Sequence, residues 1–412
     1  MNDKAYWIWL QQALGYAVKV DEIVSTFGHA KKVYEASHEE RARSGAFTPR
    51  QLTKIRNTPL SIVDDVIQSC RECKCRVLTP DDERYPEKLF DLQDYPLVLY
   101  YLGDPDALKN RMTIALVGTR KASQTGLKVA YRLSSSLAKS EVCVVSGGAL
   151  GIDGASHLGA LSENGITCAV LGCGFLAKYK DSVANLKTDI AEKGLVLTEF
   201  APRTPPIGRN FPVRNRIISA LSYGVVVVEG SLKSGSLITA RMAIEQGREL
   251  FAVPGDAINS LHSGTIELIR NGATPVFSCR DVLSVFEFIY PDLVDYENIN
   301  DTPLYENRKP VDFSKVTYGV TAVYTKDNIP EEVMEKVIND RKDEEEKQTE
   351  KAKILKGNDK DVYEVLTFEP MHIDDIMRAL PHLTPGKIMV SLTHLEMDEM
   401  VLSDNGKKYR RK

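Results

Sequence analysis

Between Ile114 and Gly255 short apolar runs repeatedly end in glycine-rich or arginine-bearing turns, with helix-length segments between them. Strands spaced in this way are joined by right-handed βαβ crossovers and build a doubly wound α/β sheet. The strand ends of such a sheet share one edge. The backbone N–H groups of the turns are then placed where an anion can be held.

The first run, Thr113 to Gly118, has the pattern of a buried strand and leads through Thr119, Arg120, Lys121, Ala122 and Ser123 into a helix-like stretch from Gly126 to Ser140. A strand running into a small-residue turn and a helix is a natural anion site, to which Arg120 adds a bidentate donor. The bland alternative is a structural ion pair. The second run, Val142 to Val145, meets Ser146-Gly-Gly-Ala-Leu-Gly151 and a small-residue helix through His157. Gly147, Gly148 and Gly151 either let a ligand approach the backbone or serve tight helix–strand packing. A ribose-binding acid at the distance required by a dinucleotide fingerprint is missing, so NAD is disfavoured and no cofactor is expected.

The third run, Ile166 to Leu171, ends in Gly172-Cys-Gly174 with Lys178 and Lys180 close behind. The fourth, Gly194 to Glu199, opens onto Arg203, Arg209, Arg214 and Arg216, with Phe211 in their midst and no carboxylate between Ala201 and Arg216. Such a stretch faces an anion or repels itself. Gly224 to Val228 leads through Glu229 to Ser234-Gly235-Ser236 and a helix, and Glu249 to Val253 stops at Pro254-Gly255. Phe211 is either a core aromatic or a stacking face for a base. Asn215 caps a helix beginning near Arg216 in one reading. Ser234 to Ser236 read equally as a helix cap and turn. Asp153, Glu199 and Glu229 are either catalytic carboxylates or a cap and buttresses for the arginines. Neither a nucleophile nor a metal set stands beside them in sequence, which favours the structural reading. His157 reads as a packed or surface residue.

With 412 residues, 43% of them hydrophobic, the chain can bury a large core in two or three domains. A formal charge of −4 confines any nucleic-acid site to a local patch. Seven scattered cysteines point to a reducing cytoplasm rather than a disulfide framework, and Cys70, Cys73 and Cys75 lack a second ligand pair for a metal. The opening residues lack the apolar core of a signal peptide, and no run is long enough for a membrane span.

The block from Ile114 to Gly255 thus sits in the second of four expected parts. Residues 1–80 carry helical apolar spacing broken at Gly28, Gly45 and Pro59, residues 81–292 form the sheet domain with a strand-rich lead-in, and residues 293–357 read as a charged linker. Residues 358–412 hold three helix-like runs, then Val401-Leu402, the turn Asp404-Asn-Gly406 and a basic tail, the signature of a winged helix. Its third helix offers Lys387, Ser391, Thr393 and His394 but also Glu396, Asp398 and Glu399, so DNA reading and protein docking both remain open.

Five segments in order, Val117-Gly-Thr-Arg-Lys-Ala-Ser123, Ser146 to Asp153, Phe211-Pro-Val-Arg-Asn-Arg-Ile-Ile218, Ser234-Gly-Ser-Leu-Ile-Thr-Ala240 and Phe251-Ala-Val-Pro-Gly255, resemble the DNA-processing protein A family, also called DprA or Smf. The resemblance covers residues 80 to 290. It departs from the family pattern at Leu150, where a basic residue is usual, at Lys180, which stands for a proline, and at Ile266, which stands for an asparagine. The resemblance implies an extended Rossmann-like core with a small N-terminal helical domain of sterile-alpha-motif or helix-hairpin-helix type. It also implies a homodimer that binds single-stranded DNA without enzymatic activity and loads the RecA recombinase during natural transformation. On that reading Arg120, Lys180, Arg214 and Arg216 clamp phosphates, and Phe211 offers a stacking face. The turns at Gly118, Thr119, Lys121 and Ser123, at Gly147 and Gly148, and at Ser234, Gly235 and Ser236, together with Asn215, complete the nucleic-acid site. The rival is a nucleotide or nucleoside-phosphate hydrolase using Glu229 and Arg214. Ile258, Leu261, Ile266, Leu268 and Ile269 supply apolar residues for an isologous patch, or ordinary core packing.

Overall fold

The computed structural model describes residues 3–179, 184–299, 301–304, 311, 313, 316, 355–367, 371–398, 400–404 and 408–411. The chain forms two compact units, Met1–Ala322 and Val323–Lys412.

Among the described residues the first unit holds a nine-stranded sheet. Its strands are β1 (Arg76–Leu78), β2 (Leu99–Gly103), β3 (Thr113–Val117), β4 (Cys143–Gly147), β5 (Thr167–Val170), β6 (Leu195–Thr198), β7 (Gly224–Val227), β8 (Glu249–Ala252) and β9 (Thr274–Pro275). The spatial order is β1-β2-β6-β5-β4-β3-β7-β8-β9. The strands from β6 to β9 are parallel, while β1–β2 and β2–β6 pair antiparallel. Every residue of β3, β4, β5, β6 and β7 is buried, as uninterrupted apolar runs covered on both faces require. Helices α7 (Gln124–Lys139), α8 (Ile152–Ser162), α9 (Lys187–Lys193), α10 (Asn210–Ala220), α11 (Ser236–Glu245), α12 (Ser263–Arg270) and α13 (Cys279–Leu283) complete the unit around the sheet, the numbering leaving α1 to α6 for the helices before β1. Chain order runs outward from β3 in one direction through β6 and in the other from β7, so the crevice between the ends of β3 and β7 is the topological switch point.

The N-terminal helices are α1 (Lys4–Leu14), α2 (Asp21–Phe27), α3 (Ala30–Glu35), α4 (His38–Arg43), α5 (Pro49–Asn57) and α6 (Ile62–Cys73). In α1 the segment Trp7-Ile-Trp-Leu10 is buried outright. Trp9 Nε1 donates to Thr58 O at 2.8 Å and Gln11 Nε2 to Val98 O at 3.1 Å, while the buried Trp7 Nε1 has no hydrogen-bond partner among the described residues. α5 starts on a Thr48–Gln51 capping box with Pro49 in its first turn. The helices share one continuous cluster of buried apolar side chains with the sheet, and β1, from within residues 1–80, joins that sheet.

The start of the segment expected from residue 293 as a charged linker packs on the core. Val294, Tyr296, Ile299, Leu304, Phe313 and Val316 are buried against the core, Arg132 Nη1 donates to Leu304 O at 2.6 Å, and Gly151 N donates to Val316 O at 2.7 Å. Apolar side chains scattered among acids find the core when the chain passes close to it. The remainder of the expected linker, 317–354, lies outside the described residues.

The second unit packs helices Asn358–Val365, Ile373–Ala379 and Pro385–Met397 with a three-stranded antiparallel sheet of Met371–His372, Val401–Asp404 and Lys408–Arg411. Val362, Leu366, Ile376, Ile388, Leu392 and Leu395 form its separate core. This is the winged-helix arrangement.

Candidate nucleic-acid interface

The turn after β3 is held from across the switch point by Glu229, a fully buried residue just beyond β7. Ser123 N donates to Glu229 Oε1 at 2.8 Å and the Ser123 hydroxyl to Oε2, while Thr119 N donates to Glu229 O at 2.7 Å. Ser123 Oγ also accepts from Gly126 N at 2.9 Å, capping α7. Ser123 therefore shapes the turn from inside, and its hydroxyl is committed to a cap and a carboxylate. Gly118 lies against Ile152 and the Glu229 carbonyl with no room for a Cβ. What the turn presents outward is Thr119, half-buried, with Arg120 and Lys121 exposed.

The turn after β4 is locked onto it. Gly151 has φ +81°, and a Cβ there would lie 2.5 Å from the carbonyl oxygens of both Thr119 and Arg120, so only glycine joins the two turns this closely. At Gly147 the missing side chain has another use. A Cβ there would clash with both the Asp153 carboxylate and the Arg214 guanidinium, which stand on either side of the bare end of β4 without a direct ion pair.

Asp153, in the first turn of α8, and Arg214, on α10, are both buried. Burial pushes the Asp153 carboxyl up to about 6, with Arg214 and Arg120 pulling the other way. Burial likewise lowers Arg214, opposed by Asp153 and reinforced by the positive charge of Arg120. Arg214 is anchored by donation from Nη1 to Val170 O and from Nε to Asn215 Oδ1 at 3.2 Å. A cation held this way, with a second cation nearby and the Asp153 carboxyl raised toward neutrality, can serve as the positive floor of an anion site.

Phe211 stands over that floor, half-buried and in contact with Gly172. The Arg120 guanidinium lies 4.7 Å from its ring centroid, and the Tyr179 ring is 5.3 Å away, tilted by 42°. Phe211 is thus the middle of an arginine–aromatic–aromatic stack, neither a core residue nor a bare platform. Beside it a cavity of about 180 Å³ is lined by Gly148, the Gly172-Cys-Gly174 turn, Lys178, Tyr179, Lys187 and Arg214. Lys180 lies outside the described residues, and the lysine seen at this turn is Lys178. Tyr179 and Lys187 were not singled out by the sequence. Lys187 opens α9, outside the glycine turns in sequence, yet its Nζ donates to Phe175 O at 3.3 Å and lies 4.8 Å from the Phe175 ring centroid, with its pKa lowered by burial. A lone lysine on a helix carries no signal of its own.

Arg216 does not join the site. Two positions along a helix turn a side chain by about 200°, so Arg216 points away from Arg214. It is buried in an ion-pair network, Nε 2.9 Å from Asp94 Oδ2 and Nη2 2.9 Å from Glu199 Oε1. Arg203 is likewise taken up, by Glu72 at 2.6 Å and Ser69 at 2.9 Å. Asn215 is inside α10, which begins at Asn210, rather than capping a helix near Arg216. Its Nδ2 reaches Gly235 O at 3.5 Å, tying α10 to the turn before α11. In that turn Ser234 Oγ lies 2.8 Å from Ser236 Oγ and accepts from Ser236 N at 3.3 Å, while Gly235 is exposed. The two serines hold the turn, but the N-cap of α11 is Gly235, and no side-chain cap bond is made there. His157 is buried, bonded to Thr167 Oγ1 at 2.7 Å and pushed down to about 3 by burial, so it is a neutral core residue. Among the described residues no His, Cys, Asp and Glu side chains cluster as metal ligands, and no helix is long and apolar enough to cross a membrane.

The chain matches the family model of DNA recombination-mediator protein A over residues 76–287 and that of the DprA winged helix domain over residues 346–407. DNA processing protein DprA of Streptococcus pneumoniae is 42% identical over 207 residues, covering 50% of this chain and 73% of that protein. Protein Smf of Synechocystis sp. is 30% identical over 422 residues, covering 100% of this chain and 99% of that protein. The X-ray structure of DprA from Streptococcus pneumoniae is similar with a TM-score of 0.59 at 33% identity, covering 68% of this chain and 97% of that one. A nine-stranded core with this glycine-turn edge, a C-terminal winged helix and relatives matched over most of their length make the chain a member of the DNA recombination-mediator protein A family, the DprA/Smf proteins.

Proposed function

We propose that the C-terminal edge of the sheet binds single-stranded DNA without sequence preference and that the protein hands the strand to a RecA recombinase during natural transformation. The observation that carries this reading is the Arg120–Phe211–Tyr179 stack next to the buried Arg214, whose charge Asp153 offsets from across Gly147. Arginines and turn amides suit phosphates, and a line of π-faces suits any base, so the contacts available are those that carry no sequence information. Lys178 and the exposed Arg120 and Lys121 add positive charge along the same edge. Membership among recombination mediators supports the hand-off to a recombinase.

The site reads as one of binding rather than hydrolysis. Glu229, the carboxylate a nucleotide hydrolase would need, is fully buried and held by Ser123, with His262 Nε2 at 3.6 Å from its Oε2. Asp153 is buried beside Arg214. Dimerisation would use the end of the core, where Ile258 is 93% exposed beside the half-buried Leu261, Ile266, Leu268 and Ile269. Seven free thiols accord with a reducing cytoplasm.

The test is fluorescence anisotropy of labelled oligothymidine, from a mononucleotide to a few tens of nucleotides, at two salt concentrations. Affinity that rises with length and falls with salt supports the reading. Tight mononucleotide binding with no gain on lengthening would replace it with a nucleotide-processing site.

A further inference from the structure

We propose that a second stretch of the same strand lies in a cleft between the N-terminal helices and the sheet domain, across α10 from the glycine-turn site. The proposal rests on the single-strand reading of that site and extends it. The cleft measures about 600 Å³. Tyr16 and, from α5, Arg50 and Lys54 line it on the helical side, and Phe200, Arg209 and Asn210 on the side of the sheet.

The two sites share one helix turn. Phe211 and Arg214 of α10 line the glycine-turn cavity, and Asn210 and Val213 of the same turn line the cleft. A strand leaving the Phe211 stack over the start of α10 meets Arg209 first, then the wall formed by α5.

The charges of the cleft are uncompensated. Its lining has three cations and no carboxylate among the described residues. Arg50 and Arg209 are exposed and make no ion pair among the described residues, and Lys54 Nζ has only the Leu14 carbonyl, at 3.3 Å. The contrast with neighbouring arginines is informative. Arg203 and Arg216 are paired to acids, whereas Arg209, between them in sequence, is left open toward Arg50 and Lys54 in the same cleft. Like charges gathered around an open space repel until an anion enters it.

The cleft also offers a fixed aromatic. The Tyr16 hydroxyl accepts from Ala201 N at 3.2 Å and lies 3.3 Å from Thr204 Oγ1, and its ring meets the Phe200 ring edge-on with centroids 4.6 Å apart. The ring is half-buried and its orientation is set by these three neighbours. Cations that track a backbone beside a held aromatic are the composition of a single-strand path, and the space is that of several groups rather than one phosphate.

The test compares wild type, Arg120→Ala and the full-length triple variant Arg50→Glu, Lys54→Glu, Arg209→Glu on the oligothymidine length series. All three substituted side chains are exposed, and an unchanged melting temperature certifies the fold. The triple variant is expected to bind the shortest oligomers like wild type and to lose tenfold or more on long ones. Its salt slope on long oligomers should fall by about 2, at about 0.7 for each phosphate no longer neutralised. Arg120→Ala should weaken every length. A triple variant matching wild type at all lengths overturns the cleft even if Arg120→Ala weakens binding. An Arg120→Ala protein equal to wild type overturns the glycine-turn site instead, and a long-strand loss confined to the triple variant would then assign the cleft alone. Loss of the triple variant on duplex but not on single strands also overturns the proposal.

Discussion

The Arg120 guanidinium covers the Phe211 ring at 4.7 Å, joining the turn after β3 to the first turn of α10. On the proposed reading the pair sets a phosphate donor beside the aromatic stack. Arg120→Ala is expected to weaken oligothymidine binding about tenfold, the scale of one charge-assisted hydrogen bond, and to reduce the salt slope by about 0.7. Phe211→Leu keeps the apolar character of a half-buried residue and removes the π-face. It should cost about 1–3 kcal/mol of binding and under about 1.5 kcal/mol of stability. Anisotropy and thermal melting on both variants check the two effects, and unchanged affinity in Phe211→Leu with a lowered melting temperature would return Phe211 to the core.

Gly147→Ala inserts a methyl group between Asp153 and Arg214. The end of β4 is buried and backed by β3 and β5, so the strand has no room to yield. Overpacking of this kind costs about 1–3 kcal/mol. The floor of the site must move as well, so denaturant melts should show the stability loss and anisotropy a larger loss of affinity than in Arg120→Ala. Wild-type affinity in a destabilised protein would separate Asp153 and Arg214 from the site.

The sheet and its glycine turns were legible in the sequence because each central strand is an unbroken apolar run and each turn a local signal. The assignments that failed depended on distant partners. Arg216 looked like Arg214 until Asp94, 122 residues away, and Glu199 were seen to enclose it. Asn215 suits a helix start near Arg216 as a cap residue, yet α10 begins at Asn210 with Pro212 tolerated in its first turn. Val294, Tyr296, Ile299, Leu304, Phe313 and Val316 stand among acids in the sequence, and their burial follows from where the chain passes. Tyr179 and Lys187 gained their place from a cavity that no local pattern encodes.

Arg216→Ala would leave Glu199 buried without its partner. Removing one member of a buried ion pair typically costs about 3–5 kcal/mol. Since Arg216 lies off the site, the folded fraction should bind oligothymidine with wild-type affinity. Chemical denaturation and anisotropy below the transition test the two halves of this expectation, and a stable variant with weakened binding would restore Arg216 to the phosphate clamp.

Asp153 gives the site a pH dependence whose sign is fixed by its burial. Its carboxyl is raised to about 6, so the folded protein holds the proton more tightly than the unfolded chain does. The stability from this group is fully present below the ordinary carboxylate range near 4 and is lost as pH rises through about 6. The change is on the order of 3 kcal/mol. Protonation also removes the negative charge beside Arg214 and leaves both arginines uncompensated, so strand affinity should rise as pH falls from 7 to 5. Asp153→Asn should flatten both curves across that window and bind at pH 7 as wild type binds at pH 5. Denaturant melts and anisotropy at pH 5, 6 and 7 measure this, and a wild-type affinity that does not change across the window would mean that the Asp153 charge is not felt by the bound phosphate.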